Sequence, residues 1–176
     1  RTEIWVNKNG CWALPLGWVC MEGGVALVRR GFEGGITFFD TARYYRDSEE
    51  KLGEALEGIR DQVYIATKTG ASNGEELKRE LETSLKNLRT DHVDIYQFHN
   101  PAFCPKPGDG SGLYQAVEAA TAQGMVRHIG IPNTRLAVHH AATDSDLDDT
   151  HPCASCYLAV ASHTVHREQV QEEDGG

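Results

Sequence analysis

From Met21 onward the chain switches repeatedly between two spacings of apolar residues. Val25, Val28 and Phe32 recur at helical spacing, and "GGITFFD" then gives a short apolar run bounded by glycines. Leu52, Ala55, Leu56 and Ile59 mark a second helix, with Ser48 as its expected cap and Glu49 and Glu50 near its positive end. "VYIAT" reads as a buried strand. A third helix starts from a cap at Ser72 or Asn73 and shows the face Leu77, Leu81, Leu85 and Leu88. "VDIYQF" is the next strand, and Leu113, Ala116, Val117 and Ala120 form a fourth helical face that Gly124 stops. "VRHIGI" is another strand, followed by a weaker helix over Thr134 to Thr143. A first strand is expected near Trp12 to Leu16 and a weak sixth near Ser155 to Ala161.

Strand and helix in alternation predict a parallel sheet with crossover helices. Strands that are continuous apolar runs predict that both faces are covered. An open doubly wound sheet and a closed (β/α) barrel both satisfy this. An open nucleotide-binding sheet announces itself with a glycine-rich turn after its first strand. Neither G-x-G-x-x-G nor G-x-x-x-x-G-K-[ST] occurs, and "GDGSG" (Gly108 to Gly112) sits in a Pro-rich loop without that spacing. The barrel is therefore the expected class.

Polar residues at the strand ends carry the candidate chemistry. Asp40 ends "ITFFD", Lys68 follows "VYIAT", and His99 ends "IYQF", at separations of 28 and 31 residues. One βα unit between each pair places them on neighbouring strands at one rim, where barrel enzymes build their active sites. Tyr45, in the loop after Asp40, can lean over the same mouth. These four suit proton donation to a carbonyl oxygen as it receives a hydride. A phenol near pKa 10 needs tuning for acid–base work at neutral pH. An ammonium at Lys68 favours the phenolate, Asp40 keeps that lysine charged, and His99 can donate a hydrogen bond to the substrate oxygen. Taken singly, each has a duller role: a helix cap, a solvated lysine, a satisfied structural histidine.

The stretches "GITFFDTARYYRDSEEKLGEAL", "VYIATKT", "DHVDIYQFHNP" and "GMVRHIGIPN" together resemble the aldo-keto reductases, over about Cys11 to Leu158. "HNPAFCPKPGDGSGLYQAVEAATAQG" looks most like a bacterial branch whose members often carry an iron–sulfur tail, and no such cysteine-rich tail is present. The resemblance implies a (β/α)8 barrel of the TIM type that binds NADPH without a Rossmann motif and reduces aldehydes or ketones. It assigns the catalytic tetrad to Asp40, Tyr45, Lys68 and His99, with Tyr45 as proton donor. Asn133 and Asp40 fall at cofactor-binding positions, and Trp12 and His99 at the substrate pocket. NADPH is the implied cofactor, with NADH left open.

Length modifies that expectation. A (β/α)8 barrel takes ~250 residues and rarely fewer than ~200, and this chain has 176. The expected class is α/β, an incomplete (β/α)8 barrel with about five to six of eight strands. Residues 1–143 are read as the partial barrel and 144–176 as a divergent acidic tail. Pro152 stands where the family commonly has a glutamine, and Pro132 replaces the serine before Asn133. An open barrel edge exposes unpaired backbone groups, so self-association through that edge is an expected partner mode. The alternative to a reductase is a catalytically inactive partial-barrel remnant or assembly component that binds no cofactor.

Composition adds little more. Apolar residues are 40% and charged residues 24% of the chain, a globular balance. Of the net charge of −9, residues 144–176 carry −7, from eight acids against Arg167. No basic stripe suggests nucleic acid, and no apolar run reaches membrane-spanning length. Five cysteines, an odd count, favour free thiols and a cytoplasmic setting. His151, Cys153, Cys156, His163 and His166 lie close together, but their spacing is tighter than in finger-type zinc sites. No metal is expected.

Overall fold

A computed structural model of the chain describes residues 19–99 and 104–130. The order is α1 (Met21–Glu33), β1 (Phe38–Asp40), α2 (Ser48–Ala55), a 3₁₀ turn at Arg60–Gln62, β2 (Tyr64–Thr69), α3 (Gly74–Asn87), β3 (Val93–Phe98), α4 (Leu113–Ala122) and β4 (Val126–Gly130). The strands form one parallel sheet in the order β1-β2-β3-β4. Among the described strands, order in space follows order in sequence, with no point at which it reverses. That is the succession of a (β/α) barrel rather than of a doubly wound sheet. The parallel sheet is thus part of an incomplete (β/α)8 barrel, as the apolar runs predict. The expected first and sixth strands, the helix at Thr134–Thr143 and the boundary at residue 143 lie outside the described residues.

Register divides the sheet into two faces. Phe39, Ile65, Thr67, Tyr96 and Ile129 alternate with Asp40, Ala66, Lys68, Ile95 and Gln97. Ile65, Tyr96, Phe98 and Ile129 join Val28, Leu52, Leu56, Leu77, Leu81, Leu88, Leu113 and Val117 in a single hydrophobic cluster. All four helices therefore pack on that face, and the Asp40–Lys68 face belongs to the barrel interior. Both faces of β2 and β3 are covered, whereas β1 is half-buried and β4 exposes Arg127 and His128. The coverage of both faces expected from the apolar runs therefore holds for β2 and β3 but not for β1 and β4, which lack a second neighbour among the described residues.

Two helix starts behave differently. Asn73 caps α3 as expected, its side chain accepting the Glu76 N–H at 3.0 Å, and Glu76 returns a bond to the Ser72 N–H at 2.8 Å. Ser48 does not cap α2. It is the first helical residue, Asp47 stands at the N-cap position without a side-chain cap bond, and Ile59 lies beyond the helix end at Ala55. The Ser48 hydroxyl instead accepts from the Thr41 hydroxyl at 2.9 Å, which pins the α2 start to the end of β1. At the other end of α4, Gly124 takes φ 74°, a turn that glycine adopts without strain, so the stop falls where it was expected.

Candidate active site

Asp40 ends β1, Lys68 is the fifth residue of β2, and His99 follows β3 directly. Parallel pairing brings these strand ends to one rim. The Lys68 ammonium donates to the Asp40 carboxylate and, at 2.8 Å, to the Thr41 carbonyl. Both side chains are nearly buried, 10% and 6% exposed, which removes most of the solvent screening between them. Lys68 also lies over the Tyr45 ring, its Nζ 5.4 Å from the centroid. Tyr45 in turn meets His99 edge to face, with centroids 5.7 Å apart and planes at 84°. The four residues read from strand ends and loop spacing therefore meet in one cluster.

Backbone bonds hold this cluster in place. The rim loop continues the ladder past β1, with Thr41 N–H to the Ala66 carbonyl at 2.8 Å and Arg43 N–H to the Lys68 carbonyl at 3.0 Å. The His99 N–H donates to the Thr69 carbonyl at 2.7 Å. Behind the sheet, Glu49 is buried and accepts from the Thr67 hydroxyl at 2.7 Å and the Asn87 amide at 3.2 Å, locking α2 to β2 and α3. Burial lowers the His99 pKa below its ordinary 6.5; the Lys68 ammonium adds to this and Asp40 opposes it. A neutral imidazole follows at neutral pH, able to donate one N–H to an incoming oxygen.

Trp12 and Asn133 lie outside the described residues, as do His151, Cys153, Cys156, His163 and His166. Among the described residues no group of acidic, cysteine or histidine side chains could hold a metal ion. Cys104, a loop thiol beside His99 in sequence, is buried in the hydrophobic cluster. Two neighbours of the cluster escape a reading by motif. Tyr44 lies 6.5 Å from the His99 ring, and Glu80 of α3 accepts its hydroxyl proton at 2.6 Å. A tyrosine doubled beside the expected donor was a signal; Glu80, a charged residue on a helix with many, gave none.

The donor set can move protons and stabilise developing negative charge. Phenol, imidazole and ammonium can supply or stabilise a proton, but no amino-acid side chain gives up a hydride. Carbonyl reduction at this cluster would therefore need a reductant bound beside it.

Comparison with known proteins agrees with this arrangement. The model of the Aldo/keto reductase family matches residues 9–172. A methylglyoxal reductase of Escherichia coli K12 is 36% identical over 121 residues, covering 64% of this chain and 40% of the relative. L-galactose dehydrogenase of Arabidopsis thaliana is 32% identical over 153 residues, covering 78% and 48%. Among solved structures, an aldo-keto reductase from Klebsiella pneumoniae in complex with NADPH superposes with a TM-score of 0.66 at 29% identity, over 77% of this chain and 48% of that one. The chain spans less than half the length of each of these three proteins.

Proposed function

The chain belongs to the aldo/keto reductase family, and from that premise we propose that it serves NADPH-dependent reduction of a small aldehyde or ketone, with Tyr45 as proton donor. The observation that carries the reading is the contact of Lys68 with both the Asp40 carboxylate and the face of the Tyr45 ring. A bound nicotinamide would supply the hydride that the carbonyl carbon receives. As the oxygen gains charge, His99 donates a hydrogen bond that orients it, and Tyr45 gives up its phenolic proton to it. The phenolate left behind lies under the Lys68 ammonium, which stabilises it electrostatically. Asp40 keeps Lys68 ionised and in place, and water returns the proton to Tyr45 after the alcohol leaves. By the family resemblance, Asp40 and Asn133 are the residues that would hold the cofactor.

The named relatives include a methylglyoxal reductase, so methylglyoxal is the first carbonyl to try. NADPH is expected to quench or enhance in fluorescence on titration and to raise Tm. Tyr45→Phe is expected to lower turnover by ~10²- to 10⁴-fold, the range of general acid catalysis, with NADPH affinity unchanged. Unchanged fluorescence and Tm at millimolar cofactor would overturn the reading in favour of a non-catalytic partial barrel.

A further inference from the structure

We propose that Tyr44 and Glu80 form a latch that positions Tyr45, so that the rim loop presents its second tyrosine to Lys68 and His99. This rests on the reductase reading and deepens it by naming positioning residues for the same site. Both tyrosine rings lie near the His99 ring, at 6.5 Å for Tyr44 and 5.7 Å for Tyr45, so something must decide which one serves.

Glu80 does this from α3. One carboxylate oxygen accepts the Tyr44 hydroxyl at 2.6 Å. The other accepts the Gly70 N–H at 3.1 Å and the Thr69 hydroxyl. A single carboxylate thus ties the rim loop to the residues immediately after Lys68. Thr69 also receives the His99 N–H on its carbonyl, so the β3 end shares that frame. The close fit depends on Gly70, because a Cβ there would stand 2.6 Å from Tyr44 Cε2.

The loop needs such a hold. Arg46, directly after Tyr45, has φ 51°, a left-handed conformation that a side chain-bearing residue adopts only when its surroundings impose it. Constraint comes from both sides. Before Tyr45 stands the Tyr44–Glu80 bond. After it, Asp47 accepts from Lys51 at 2.7 Å, and Lys51 is itself buried and bonded to the Val19 carbonyl at 2.7 Å. The bond to Glu80 also raises the Tyr44 pKa above its ordinary value, in keeping with a hydroxyl engaged by that carboxylate.

Tyr44→Phe, Glu80→Gln and Gly70→Ala in the full chain test the latch. Two readouts are needed: kcat and KM for NADPH-driven aldehyde reduction, and the His99 ring resonances by NMR, which require no turnover. Each variant is expected to lose about 10- to 100-fold in kcat, the scale of a small misplacement, with NADPH Kd and KM near wild type. The His99 resonances should shift as the Tyr45 ring edge moves. Tyr44→Phe combined with Glu80→Gln should cost no more than the larger single change, and Gly70→Ala should add nothing to Tyr44→Ala. Unchanged kcat in an active protein, or unmoved His99 resonances in any case, overturns the latch. A wild-type protein that reduces no carbonyl defeats the reductase reading alone, and the resonances then decide the latch by themselves.

Discussion

Asp40 and Asp94 both carry largely covered carboxylates near the ends of parallel strands, yet their surroundings differ in kind. Asp94, at the N-terminal end of β3, is 2% exposed and faces the helices. It accepts from Arg60 at 2.8 Å, Arg127 at 2.7 Å and the Ile65 N–H at 2.9 Å. The last bond fills the ladder position next to the first β2–β3 register pair, Ala66 with Ile95. Asp40, at the C-terminal end of β1, shares its lysine with a half-buried tyrosine ring. One acid is met by donors from three segments; the other is paired with a lysine that also faces the Tyr45 ring. Burial alone does not separate structure from chemistry. What the buried charge faces does.

The largest expected effect lies at the Asp94 end. Asp94→Ala leaves the Arg60 guanidinium and the Ile65 N–H without this acceptor, and breaking a buried pair costs about 3–5 kcal/mol. Urea denaturation should show that loss as a lower midpoint. The fraction that stays folded should keep the turnover per molecule of the wild type, because the rim lies at the other end of the sheet. A stability loss under ~1 kcal/mol, or a turnover loss in fully folded protein, would break the division between the two ends.

The two ends were not equally legible in the sequence. At the rim, Asp40, Lys68 and His99 stand just where apolar runs stop, and one βα unit of spacing aligns them; strand periodicity suffices to read that. Asp94 breaks the apolar run "VDIYQF" from inside, a signal of equal strength that points to no chemistry and so reads as a gap in a buried strand. Its partners Arg60 and Arg127 come from a 3₁₀ turn and from β4, and no local pattern links them. Ser48 shows the same limit on a smaller scale. Propensity favours serine as a cap, but Thr41 from the preceding strand end claims its hydroxyl, and Asp47 turns to Lys51. Asn73 has no such competitor, and there the local rule holds.

A second test works at the rim through His99. Lys68→Met removes the ammonium that lowers the His99 pKa and takes a positive charge away from the Asp40 carboxylate that raises it. Both changes act in one direction, so the NMR titration midpoint of His99 should move upward. Turnover should fall with it, because a phenolate at Tyr45 loses its cation. The sign of the wild-type pH dependence also follows. A histidine whose folded pKa lies below 6.5 contributes its stability fully above that value. As pH falls through the folded pKa the contribution is lost, because the unfolded chain binds the proton first. His99→Gln should flatten that acid slope. An unmoved midpoint in Lys68→Met would mean that burial alone governs His99 and that the ammonium does not act on the ring.

The smallest effect separates the two arginines on Asp94. The Arg127 side chain is 55% exposed, so its ion pair is screened by water and, like other exposed pairs, contributes about 1 kcal/mol or less. The Arg60 side chain is 16% exposed and bonds the Val63 and His92 carbonyls at 2.9 and 3.0 Å and the Thr90 hydroxyl at 3.1 Å. Removing it strands several acceptors together with Asp94. In urea melts Arg127→Met should therefore shift the midpoint only slightly, and added salt should erase most of that shift, while Arg60→Met costs severalfold more and responds little to salt. Equal costs would mean that β4 is held at its outer margin by Arg127 as firmly as β2 and β3 are held to each other. Asp94 would then guard the exposed strand rather than the covered ones, and its burial would be a property of the sheet edge.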